Sequence, residues 1–281
     1  MIEKDITTWA EFKTALTEEI TEETTYNIKN DLDATNDILT KNIEVNYSKI
    51  KIFKGNGYKI NGITAYGNVT VFYNSNYTVT QFYDIKFTNF MIESGTFTNL
   101  CRSSSVSNKF LFENCFFNGV CKVFVAVPDV SFLTYFNKCS FNVRCETFAK
   151  SGRCSFISCY IITTPLQDKN LFTESILIDC YIDGMITATP TTSKTSFITP
   201  DFEGNNVFNC KVIVTNSVES RMYYLNSSSK AVLVNKNKLL QRDGITPITN
   251  IADADNIYLL TDEQMKNKDY IQKNTTFPLY G

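Results

Sequence analysis

FENCFF (112–117), FNKCSF (136–141), FISCYI (156–161) and LIDCYI (177–182) are one six-residue phrase written four times. It stands upstream as FYDIKF (82–87) and downstream as VFNCKV (207–212) and VNKNKL (234–239). The central column reads Ile85, Cys115, Cys139, Cys159, Cys180, Cys210 and Asn237. Three residues earlier stand Phe82, Phe112, Phe136, Phe156, Leu177, Val207 and Val234, and two residues later Phe87, Phe117, Phe141, Ile161, Ile182, Val212 and Leu239, apolar throughout. Just before the centre come Asp84, Asn114, Lys138, Ser158, Asp179, Asn209 and Lys236, mostly short polar residues suited to a sharp bend.

The phrase describes a strand, a one-residue corner and a second strand. Asn and Asp tolerate the left-handed backbone that such a corner needs. Beyond the corner, alternation puts the centre and the apolar residue two later on one face. Intervals of 20 to 30 residues with a fixed phrase mark a solenoid, whose coils cannot bury their apolar faces alone. At a strand spacing of roughly 4.8 Å, seven coils make a rod about 34 Å long.

Stacking accounts for the cysteines. Cys115, Cys139, Cys159, Cys180 and Cys210 share one inward position, where free cysteine serves as a small, readily buried hydrophobe. The expectation is a reduced core ladder, in which a serine hydroxyl would lack a partner. There is no CxxC and no histidine, so finger-type zinc ligation and histidine-based nucleophiles are excluded, and no metal or cofactor is expected.

The balance of 27 basic and 29 acidic residues gives no bulk field for nucleic acid or anionic membrane. The opening MIEKDITTW is neither a signal peptide nor a membrane anchor, so the expected place of synthesis is a reducing cytoplasm.

Thr8–Ile20 reads as a helix, with a Thr8–Glu11 capping box and Trp9, Phe12, Leu16 and Ile20 at helical spacing. It is expected to cover the open first coil. Thr24–Leu39 reads as the first strand pair. DLDATND (31–37) lacks the glycine and closing glutamate of a calcium loop. Ser103–Asn108 and Thr189–Thr199 read as loops between coils. At the other end, Thr261 and Gln264 form a second capping box and Leu260 and Met265 a staple, opening a helix that closes the rod. The resulting division is an N-terminal cap over 1–40, a solenoid over 41–244 and a C-terminal cap over 245–281. With both ends closed, the chain is expected to be complete.

The Thr8-Trp9 helix followed by TTYNIKNDLDA (24–34), the GNGYKING turn (55–62) and the N-C-x-F coils resemble right-handed parallel β-helices of the pectate-lyase-like class. The overall plan, with TDEQMKNKDYIQ (261–272) followed by FP, is similar to small β-helix proteins of bacteriophages and prophages. The resemblance implies an all-β, right-handed parallel β-helix with a capping helix at each end. It also implies a place in a virion as a tail, baseplate or head appendage, assembled with other virion proteins, with a homotrimer as one arrangement and host surface glycan as a further partner.

Pectate-lyase chemistry, as the resemblance implies it, needs clustered acidic calcium ligands and a base on the coil face. The residues one past each centre are Lys86, Phe116, Ser140, Tyr160, Tyr181, Lys211 and Lys238, with no acidic cluster. Glycoside hydrolysis needs two opposed carboxylates, and Asp179 with Asp183 or Asp201 with Glu203 are the candidates. Turn and solvation roles account for them more simply. Three readings remain: a non-enzymatic virion component, a polysaccharide-degrading tailspike-type enzyme, and a glycan-binding adhesin. The candidate contact surface is the aromatic strip Phe116, Tyr160 and Tyr181. The alternative is that these rings pack beneath loops of the same chain.

Overall fold

The computed structural model describes residues 1–45, 49–67, 69–74, 79–93, 99–103, 109–126, 133–150, 153–165, 172–173, 175–178, 180–185, 198–199, 206–208, 211–215, 232–235, 239–241, 257–261, 263–264 and 267–274. Cys210, Asp179, Asp201, Glu203, Asn237 and Met265 lie outside the described residues, as does most of Thr189–Thr199.

Within the described residues the repeat folds as read as far as Lys211–Thr215, whereas Val232–Asn235, the strand before the last corner, pairs with Ile257–Leu260 in a separate two-stranded sheet. One sheet stacks nine parallel strands, from Ile2–Ile6 through Thr24–Ile28, Lys51–Lys54, Val79–Tyr83, Lys109–Glu113, Leu133–Asn137, Arg153–Ile157 and Ser175–Ile178 to Asn206–Phe208. A second, sixteen-stranded sheet carries the return of each coil, including Lys86–Glu93, Phe116–Ala126, Ser140–Lys150, Tyr160–Pro165, Tyr181–Met185 and Lys211–Thr215. The chain is an all-β parallel β-helix.

Each corner turns on the residue before the centre. Asp84, Asn114, Lys138 and Ser158 have φ of 55°, 51°, 52° and 53°, so even lysine and serine take the left-handed conformation here. Cross-coil bonds hold the corners in register: Asp84 N–H donates to Glu113 O, Asn114 N–H to Asn137 O and Lys138 N–H to Ile157 O.

The phrase's two apolar positions become aromatic stacks. Tyr26, Phe53, Phe82, Phe112, Phe136 and Phe156 follow one another with centroids 4.9, 5.3, 4.8, 5.0 and 5.0 Å apart. Phe87, Phe117 and Phe141 form a second stack at 5.0 and 5.1 Å, and the two meet edge to face, as in Phe136–Phe141 at 5.3 Å. Beyond the phrase, Phe124 and Phe148 stack at 4.9 Å, and Cys121 pairs with Cys145 in register, both buried.

Two earlier coils carry the same plan in a longer corner. Phe53 pairs with Phe82 and Ile60 with Phe87, but Gly55-Asn56-Gly57-Tyr58 fills the space between them. A Cβ at Gly55 would lie 2.4 Å from Asp84 O, and Gly62, at φ 76°, would meet the Thr35 side chain at 2.3 Å. Gly55 and Gly62 are therefore set by the neighbouring coils, whereas Gly57, with open space around it, is set by its φ of 80°.

The first helix runs Trp9–Thr17, with the Thr8–Glu11 box formed and Trp9, Phe12, Ala15 and Leu16 buried. Phe12 lies 5.2 Å from Phe53, so the helix packs against the early rings of the aromatic stack, and Glu18, just past its end, accepts from the Tyr26 hydroxyl. A strand at Ile2–Ile6 precedes it and pairs with Thr24–Ile28, an element that the sequence reading did not include. Its charged Glu3, Lys4 and Asp5 suit an exposed edge. In DLDATND, Asp31 accepts from Lys59 N–H at 3.0 Å and Asp33 from the Thr35 hydroxyl at 2.8 Å, so these acids brace turns. Near the other end the Thr261–Gln264 box is formed, and Asn267 caps a helix at Lys268–Asn274.

The cysteine ladder is buried at Cys115, Cys139, Cys159 and Cys180, with its sulfurs as thiols and not in disulfides. Each thiol donates to the carbonyl three residues before the previous centre: Cys115 to Phe82 O at 3.5 Å, Cys139 to Phe112 O at 3.4 Å, Cys159 to Phe136 O at 3.3 Å and Cys180 to Phe156 O at 3.2 Å. Burial, then the Cys115 thiol, pushes Cys139 up; the Cys139 and Cys180 thiols, then burial, do the same to Cys159.

The expectation that a hydroxyl there would lack a partner is corrected, because Phe136 O and Ile157 O stand ready as acceptors. Cys159→Ser is expected to cost about 1 kcal/mol or less, chiefly through the smaller oxygen. Urea denaturation checks it, and a loss of several kcal/mol would show that the carbonyls cannot serve the hydroxyl.

Candidate functional surface

Alternation in the second sheet sends one row of side chains outward for every row sent inward. Phe116, Ser140, Tyr160 and Tyr181 are partners in successive strand pairs, so the predicted strip is a continuous row in the backbone register. Lys59 and Lys86 continue it at one end and Lys211 at the other. Tyr160 is 45% exposed, whereas Phe116 and Ser140 are half-buried. Tyr181 occupies its place in the row through its backbone pairing with Tyr160 and Lys211.

A second outward row runs alongside, two residues further on. It consists of Asn61, Thr88, Asn118, Asn142 and Ile162, again partners in register, with Asp183 the backbone partner of Ile162 in the next strand. Asn142 is exposed and Asn118 half-buried. At its start, the Thr88 hydroxyl donates to Asn61 Oδ1 at 3.2 Å and Asn89 Nδ2 donates to the same oxygen at 2.8 Å. A backbone bulge at Asn89, with φ 53°, shifts the register here, and Gly119 stands opposite Phe90.

The sequence reading named the aromatic row but not the amide row. The signal was present in CFFN (115–118) and CSFN (139–142), where an asparagine follows each centre by three. The same alternation that turned Phe116 outward turns Asn118 outward.

Together the rows offer flat apolar faces beside groups that both donate and accept hydrogen bonds. A sugar ring presents the matching pair, C–H faces above and below and hydroxyls around the rim. Of the carboxylates considered for hydrolysis, Asp183 continues the amide row in the backbone register, between Ile162 and Ile213.

Residues 3–120 match the family model described as a pectate lyase-like adhesive domain. The matched stretch takes in the first helix, the early coils, Phe116 and Asn118, and stops before Ser140. No curated protein and no solved structure matches the chain.

Proposed function

We propose that the chain is a non-enzymatic adhesive solenoid that holds a surface glycan along the outward face of its second sheet. The observation that carries this reading is the in-register aromatic row with asparagines beside it. The similarity of residues 3–120 to an adhesive domain supports it from a separate direction. We assign binding in preference to cleavage because aromatic rings and amides hold a sugar without exchanging protons with it, whereas hydrolysis asks for two opposed carboxyl groups.

As the carrier we infer a bacteriophage particle. The chain would sit there as a tail, baseplate or head appendage beside other virion proteins, as a single copy or a homotrimer. The support is the resemblance of the overall plan and of residues 261–272 to small phage β-helix proteins. Mass spectrometry of purified particles tests the carrier separately from adhesion. Absence of the chain from them overturns the virion placement alone.

The adhesive reading is tested with Tyr160→Ser and Tyr181→Ser combined. Tyr160 is exposed, so its replacement is expected to alter stability by no more than about 0.5 kcal/mol, and the double variant is expected to stay folded. Its retention on immobilised host-surface polysaccharide should fall about tenfold, equivalent to about 1.4 kcal/mol. Undiminished retention would place the contact elsewhere. Appearance of new reducing or unsaturated ends in the polysaccharide would replace adhesion with catalysis.

A further inference from the structure

Away from the aromatic row, a groove of about 480 Å³ lies between the first helix and the segment 37–43. Its size falls within the range of small-ligand sites. Ala10, Lys13 and Thr14 contribute from the helix, and Asp37, Thr40 and Asn42 from the facing segment. Buried Leu39 and Ile43 also line it.

The polar groups here are held in place. Trp9 Nε1 donates to Asp37 Oδ2 at 2.7 Å, and the Lys13 ammonium bonds to the same oxygen. Asp37 Oδ1 is left as an acceptor on the groove wall. Lys13 first, with Trp9 after it and against the pull of burial, keeps the Asp37 carboxyl below its usual range. Asn42 Oδ1 accepts from Thr70 N–H at 2.8 Å, which fixes the amide and leaves its NH₂ group to donate.

Apolar surface stands at the lip. Ile38 lines the groove and is 54% exposed. Its strand pairs with Thr64–Tyr66, Ile38 with Thr64 and Leu39 with Ala65. Tyr66 follows Ala65 in that strand, one position past the Leu39–Ala65 pair, and is 45% exposed. A fixed carboxylate oxygen, a fixed amide, free hydroxyls and a flanking ring are what a pyranose needs: vicinal hydroxyls in the rim and a C–H face on the aromatic.

We infer that this groove is a second saccharide site, taking one neutral pyranose unit with its hydroxyls on Asp37, Asn42 and Thr40 and its apolar face toward Tyr66. All of these residues lie inside the stretch similar to the adhesive domain, whereas Ser140, Tyr160 and Tyr181 lie outside it. The site extends the adhesive reading, but its chemistry does not depend on the aromatic row.

The test is nuclear magnetic resonance of the full isotope-labelled chain titrated with methyl β-D-glucopyranoside, methyl β-D-galactopyranoside and methyl α-D-mannopyranoside. At least one glycoside is expected to shift the amide signals of Thr14, Thr40, Asn42 and Tyr66 at millimolar concentration. Tyr66→Ser and Thr40→Val, both exposed positions, should each weaken that response by about tenfold. Shifts confined to Phe116, Ser140 and Tyr160 overturn the groove and leave the aromatic row standing. Shifts confined to the groove support it and count against the row. No response to any of the three glycosides, or a response unaltered by both substitutions, overturns the groove site.

Discussion

Phe136→Ala is expected to cost about 3–5 kcal/mol of stability, the range for a fully buried aromatic cut back to a methyl group. Phe136 is 0% exposed and stacks between Phe112 and Phe156, each 5.0 Å away and nearly parallel, at 9° and 5°. Phe117 and Phe141 meet it edge-on at 5.9 and 5.3 Å, and Phe124 lies at 5.9 Å. Removing the ring strips contacts from five aromatic neighbours at once. The parallel strands on either side are tied by their ladders and cannot collapse into the gap. A solenoid also passes stability from coil to neighbouring coil. The loss should therefore appear as a broadened or split unfolding transition as well as an earlier one. Asn142→Ala, on the outward face of the same coil, should stay within about 0.5 kcal/mol. Urea denaturation of both variants checks the pair, and a Phe136→Ala loss under about 1.5 kcal/mol would show that the stack is not close-packed.

That core was legible because its period is written in covalent spacing. A residue three before each centre and one two after it must both point inward if the corner takes a single left-handed residue. The phrase therefore reported Phe82 to Phe156 and Phe87 to Phe141 directly. It failed where the corner changed length. Tyr26 and Phe53 belong to the same stack, but the Gly55–Tyr58 insertion moves Ile60 away from its expected place. Phe124 and Phe148 were hidden for a different reason. They sit far along the strands Phe116–Ala126 and Ser140–Lys150, where the phrase says nothing and only the pairing shows the shared face. Ile2–Ile6 was missed because four of its five residues are exposed, so no apolar pattern marks it.

The surface was less legible than the core. The aromatic row follows from alternation, since each member is one residue past a centre. The groove does not, because it joins Lys13 and Asp37 across the end of the first coil, and no local spacing encodes that closure. Of its groups Trp9 drew notice in the sequence as an apolar helix residue, and Asp37 only as the end of the DLDATND segment. The Trp9 indole N–H adds the polar contact that fixes Asp37.

The same end of the rod supplies the second large effect. Lys51→Met is expected to cost about 2–3 kcal/mol, because one ammonium serves several buried acceptors. Lys51 is 0% exposed, and its Nζ donates to Ala15 O at 2.6 Å, Leu16 O at 3.3 Å and Glu18 O at 2.5 Å. These are the unsatisfied carbonyls at the end of the first helix, where a cation is also favoured by the helix dipole. Lysine at this inward position latches the helix onto the coil that carries Phe53. The latch is pH-dependent. Burial lowers the Lys51 pKa to about 7, with Glu18 opposing and Lys4 adding to the shift, against an ordinary value of 10.5. Between those two values the unfolded chain binds more protons than the folded one, so this group makes the fold more stable as pH rises from about 7 toward 10.5. Below about 7 its contribution is flat and at its least favourable. The buried thiols act in the opposite sense only as pH approaches their ordinary value of 9.0 and beyond, and they are common to both proteins. The deficit of Lys51→Met relative to the unmodified chain should therefore widen between pH 7 and pH 9. Denaturation of both proteins at pH 6, 7, 8 and 9 measures it. A deficit that stays constant or shrinks across that interval would mean that the three carbonyls hold the proton on Lys51 against burial, and that the helix is latched by a permanent charge.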